Sequence, residues 1–158
     1  MRPGGARENI RMPSTHLSLH YHLVFSTKDR PFIDPEWRDQ LHAYLGGAVR
    51  TINGIPEIIG GTNDHVHVLV GLRATHALAD VLREIKHTSS EWVHKSIGVR
   101  DFGWQEGYGA FTVSASKIPD VKDYIATQEA HHRKKTFQEE YLEFLQKHEV
   151  DYDDKYLW

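Results

Sequence analysis

The chain has 158 residues, 39% of them apolar and 26% charged, a net charge of −3 and no cysteine. That is enough for one domain with a buried core, and it excludes disulfides, zinc–thiolate sites, cysteine nucleophiles and a globally basic nucleic-acid coat. No apolar run approaches the roughly 18 residues of a membrane span and residues 1–11 lack a secretory core, so a cytoplasmic protein without membrane contact is expected.

Residues 1–12 are rich in Gly, Pro and Arg and without period; they are expected to form a flexible tail, with residues 13–158 as a single domain. His16 to Lys28 alternates apolar and polar residues, the period of a strand. Asp34-Pro35 predicts a helix start, with Asp as N-cap and Pro in the first turn. Asn53-Gly54 predicts its end. Two short strands follow, the second over His65–Val70, separated by the turn residues 60–64. Thr75 is the expected N-cap of a second helix that Gly98 ends. Trp104 to Ser114 is strand-like, with glycines on both sides of Tyr108. Pro119 opens a third helix expected to run to about His132, and Thr136 with Glu139 predicts a capping box for a last one. The order predicts an α+β fold, a ferredoxin-like antiparallel sheet with helices on one face.

Twelve histidines are several times ordinary usage and direct attention to metal or phosphate chemistry. His65 and His67 stand two apart on a strand, so both imidazoles leave the same face, about 6–7 Å apart at the backbone. They can converge on a divalent cation, given further ligands from elsewhere; hydrogen-bonded strand histidines are the plainer alternative. His20 and His22 repeat the pattern on the first strand, as outer partners of a metal site or phosphate donors. Leu69 stands where a three-histidine hydrolase motif needs another His. On the third helix Tyr124 and Gln128 are one turn apart, with His131 on the same side; the alternative is a half-buried tyrosine whose hydroxyl finds a partner. Lys28, Arg30, Arg83, Lys86, Lys95, Arg133, Lys134 and Lys135 are candidates for a local phosphate-binding surface.

Taken together, the segments His22–Lys28, Asp64–Leu69, Arg83–Lys86, Trp104–Phe111 and Val121–His132 resemble the single-tyrosine HUH transposases of small insertion sequences and their domesticated, repeat-associated relatives. The likeness runs from about His20 to Trp158. It implies the HUH endonuclease fold, His65, His67 and Gln128 as ligands of Mg²⁺ or Mn²⁺, and Tyr124 as nucleophile. It makes His22 and His131 candidate outer partners of the site. The implied substrate is single-stranded DNA with hairpins, the implied assembly a homodimer. The implied reaction cleaves and rejoins DNA ends through a 5′-phosphotyrosine.

Three rivals remain at this stage. A domesticated relative would cut repeat hairpins without moving an element. A non-catalytic hairpin-binding protein would keep the fold alone. A metal-dependent hydrolase would use water in place of Tyr124.

Overall fold

The computed structural model describes residues 14–29 and 32–157. The tail expected over residues 1–12, and Arg30 among the candidate DNA contacts, lie outside these. Four strands, β1 (His20–Ser26), β2 (Ile55–Gly61), β3 (His65–Gly71) and β4 (Gly109–Val113), form an antiparallel sheet in the order β2-β3-β1-β4. Helices α1 (Pro35–Thr51) and α2 (Leu78–Trp92) connect them in the ferredoxin-like manner. Three more follow β4: α3 (Ile118–Ala126), α4 (Gln128–His132) and α5 (Phe137–Lys147).

Alternation along the central strands decides what each face buries. Leu23, Phe25, Val66, Val68 and Val70 point to α1 and α2, where they meet Leu41, Leu45, Val81, Leu82 and Ile85. Helices are expected on one face of the sheet; the opposite face is covered as well: Val24 and Phe111 pack on Phe137 and Leu145 of α5, and Leu69 and Val113 pack on Ile125 of α3. The helices after β4 thus enclose the face that carries the strand histidines.

Local chemistry sets most boundaries. Asp34 accepts a hydrogen bond from the Glu36 amide at the start of α1, and Thr136 and Glu139 form the reciprocal capping box of α5. Gly98 stands in the left-handed region at φ +90°, where the segment after α2 stops. Two expectations differ. Ala77, not Thr75, precedes α2, and its side chain caps nothing. The third helix is interrupted at Thr127 (φ −111°, ψ 31°), so α4 begins afresh at Gln128.

Gly60 on β2 allows α3 to lie directly on the sheet. A Cβ there would press into the Ile125 carbonyl oxygen and its side chain. Gly60→Ala is expected to cost about 1–3 kcal/mol by overpacking, or several degrees of Tm for a chain of this size. Thermal unfolding checks this; an unchanged Tm would mean that α3 yields freely.

Candidate active site

β3 delivers His65 and His67, both 0% exposed, to the face that α3, α4 and α5 cover. The His65 ring stacks on Phe137 at 4.4 Å between centroids. His22, on the neighbouring strand, places Nε2 2.7 Å from Nδ1 of His67. Gln128 brings Oε1 within 3.0 Å of His65 Nε2 and 3.1 Å of His132 Nε2. Glu140, only 2% exposed, holds Oε1 3.2 Å from His67 Nε2 and 3.1 Å from His132 Nε2. Its other oxygen, Oε2, accepts the Tyr124 hydroxyl and lies 3.3 Å from the Gln128 side-chain amide nitrogen.

The outer hydrogen bonds determine which atoms face the centre. His65 Nδ1 lies 2.8 Å from the Asp64 carboxylate, and His132 Nδ1 lies 2.7 Å from the Lys135 carbonyl. Both partners only accept, so each Nδ1 carries a proton, and a ring that ligates turns a bare Nε2 inward. These lone pairs meet the Gln128 carbonyl oxygen and the Glu140 carboxylate, which are also acceptors. Acceptors crowded on acceptors at about 3 Å are repulsive unless a proton or a cation lies among them. The ligand atoms of His65, His67, His132 and Glu140 all lie within 4.8 Å of one another. This donor set fits a divalent metal.

Electrostatics agree. Burial pushes His67 well below the ordinary imidazole range, helped by the neighbouring His65 and His132. Burial, then His67, does the same to His22. His132 is lowered by burial and by His65. Neutral imidazoles are the form that ligates. Burial is the largest influence on Asp64 and would raise it, but the hydrogen bonds from His65 and Thr62 and the nearby imidazoles together outweigh it and hold the carboxyl below its usual range. Burial raises Glu140 from 4.5 to about 7, against the pull of His65.

That last shift has a sign. The folded pKa exceeds the unfolded one, so the stabilising contribution is full below about 4.5 and is lost as pH rises through about 7. In metal-free protein, Glu140→Gln is therefore expected to gain on wild type as pH rises across this window. The gain is on the order of 3 kcal/mol at most, seen as a widening Tm difference. A constant difference from pH 4.5 to 7.5 would contradict a buried carboxylate at this position.

The expected residues Tyr124, His65, His67, Gln128 and His22 come together. His131 does not enter the donor cluster. It lies against the Tyr124 ring at 4.5 Å, and His132 takes the inward position instead. The basic candidates scatter. Arg83 pairs with Asp80 on the surface of α2, and Lys86 Nζ is hydrogen-bonded to two loop carbonyls. Lys28, Arg133 and Lys134 are exposed, the last two directly after α4. Lys95 and Lys135 are paired with Glu91 and Glu143. Sequence reasoning assigned His132 no role in the site and missed Glu140 altogether. Its signal was a carboxylate on the stripe of Phe137, Tyr141 and Phe144, the face that α5 buries.

The family model described as "Transposase IS200 like" matches residues 15–128. The chain belongs to this transposase family. His132 and Glu140 lie beyond the matched span. No curated protein matches the chain. Among solved structures it is similar to a candidate transposase from Deinococcus radiodurans R1, with 22% identity and a TM-score of 0.59, over 75% of this chain and 96% of that one. It is also similar to a REP-associated tyrosine transposase bound to a REP hairpin, with 14% identity and a TM-score of 0.55, over 77% of this chain and 73% of that one. Both share the transposase fold: a four-stranded antiparallel sheet with helices, of the HUH type. No helix among the described residues is long and apolar enough to cross a membrane.

Proposed function

We propose that this transposase cuts and rejoins hairpin-flanked single-stranded DNA through Tyr124, with a divalent metal held by His65, His67 and Gln128 together with His132 and Glu140. The observation that carries the reading is one carboxylate with two duties. Glu140 Oε2 takes the Tyr124 hydroxyl while Oε1 faces the imidazole cluster, so nucleophile and donor set are one unit. When bound, the ion polarises the scissile phosphate and stabilises charge developing on it. The nitrogen-rich donors favour Mn²⁺ over Mg²⁺.

The chain's own residues supply the rest. A free tyrosine phenol is poorly ionised at neutral pH, and Glu140 is placed to take the Tyr124 proton. The Tyr124 oxygen forms a bond to phosphorus as the bond from phosphorus to the 3′ oxygen breaks. The 3′ end leaves with a proton, and the 5′ phosphate stays on Tyr124. A later 3′-hydroxyl reverses the step and joins new ends, so no ATP is required. The hairpin in the REP-associated relative supports a hairpin substrate here. It also keeps open a domesticated role, cutting repeat hairpins in place. A homodimer acting on two DNA ends is part of the same reading.

The test is covalent trapping. The protein is mixed with a labelled single strand carrying the hairpin that flanks its own locus, with Mn²⁺, and denatured. A denaturation-resistant adduct, lost on adding chelator, is expected. Tight hairpin binding without cleavage would replace the reading with a binding protein, and cleavage without an adduct would replace it with a hydrolase.

A further inference from the structure

The loop between Trp104 and Gly109 takes no part in the chemistry above, yet it is firmly built. Lys86 Nζ donates to the carbonyls of Gln105 at 2.7 Å and Gly107 at 2.8 Å. The Gln105 amide donates to the Ser26 carbonyl at 2.9 Å. Gly107 takes φ +84°, a value that favours glycine. Gly109 lies so close under the Tyr141 ring that a Cβ would reach it at 2.9 Å. What this bracing presents is the ring of Tyr108, 39% exposed.

Tyr108 stands between two surfaces of opposite character. On one side is a cavity of about 580 Å³ with Gln105, Gln138 and Tyr141 in its wall, a size suited to a small-molecule fragment or nucleotide. Its floor reaches Asp64, the hydrogen-bond partner of His65, so it opens beside the donor cluster. Among the described residues its wall carries the acids Asp29, Asp64 and Glu106 and no lysine or arginine. On the other side is a shallow groove lined by Arg83, Lys86 and His87, with Glu106 shared between the two. These carboxylates disfavour a phosphate beside them and leave room for a neutral ring. Carboxylates offer acceptors only, so they favour a base bearing an amino group, as adenine, cytosine and guanine do and thymine does not.

We propose that this cavity receives one unpaired nucleobase beside the scissile phosphate, stacked on Tyr108 and selected for an exocyclic amino group. The backbone of the strand passes on the Arg83 side. The inference rests on the single-stranded DNA reading and adds a base preference to it.

The test uses fluorescein-labelled dA8, dC8 and dT8 single strands, the protein with Mn²⁺, and anisotropy. Wild type is expected to bind dA8 and dC8 about tenfold more tightly than dT8. Tyr108→Ala should weaken dA8 and dC8 about tenfold, the effect of one stacked base, and Tyr108→Phe should restore them. Glu106→Gln should narrow the gap between dC8 and dT8. Equal affinity of wild type for all three strands, or an unchanged Tyr108→Ala, overturns the proposal. If Tyr124 still forms its adduct on the locus hairpin in that case, the base pocket alone is wrong. If no strand binds and no adduct forms, the DNA reading falls with it.

Discussion

Tyr124→Phe is expected to abolish the covalent DNA adduct and to reduce strand cleavage by about 10³-fold or more, the scale on which an enzyme loses its nucleophile. The substitution removes one oxygen. The ring keeps its contacts with His131 at 4.5 Å and with His67 and Phe144 at 5.8 Å, so the fold should stay intact. Glu140 loses its phenol partner but retains the Gln128 amide and the imidazoles. Mn²⁺ binding, followed by calorimetry on the same variant, should therefore change little. Residual cleavage near wild type would identify water as the nucleophile and return the hydrolase to first place.

His67→Ala should have the complementary signature. Its Nε2 faces the Glu140 carboxylate at 3.2 Å and its Nδ1 meets His22 at 2.7 Å, both in a fully buried setting. Removing the ring takes away one donor and leaves His22 without its partner. Mn²⁺ affinity is expected to fall by about 100-fold or more, since outer partners of metal ligands alone cost 10–100-fold. The rise in Tm expected for wild type with Mn²⁺, from binding only the folded state, should disappear. Adduct formation should fall with it. A variant that bound Mn²⁺ with wild-type affinity would remove His67 from the ligand set.

Much of this site was legible before any coordinates. The alternation around His65 and His67 puts them on one face whatever the fold, because side chains on a strand alternate. The four-residue spacing of Tyr124 and Gln128 survives even though α3 stops between them. What was hidden depended on tertiary packing. His131 and His132 are neighbours, and the break at Thr127 decides which turns inward. Glu140 lies one residue past the capping Glu139, where an acid looks like ordinary first-turn chemistry. Only the docking of α5 over β1 and β4 shows that it is buried among imidazoles. The same docking explains the covered sheet face: the stripe of α5 was legible, but not the surface it would meet.

The bare position at Gly60 has a practical corollary for anyone wishing to re-engineer the reaction. With no side chain between β2 and the Ile125 carbonyl, the sheet serves as a gauge block for the nucleophile: backbone rests on backbone, and the spacing has no soft part. Tyr124 sits one residue before that contact. Substitutions at position 60 would thus lift or tilt the reacting oxygen relative to β3, and Gln128, whose side chain is hydrogen-bonded to the Tyr124 carbonyl, would move with it.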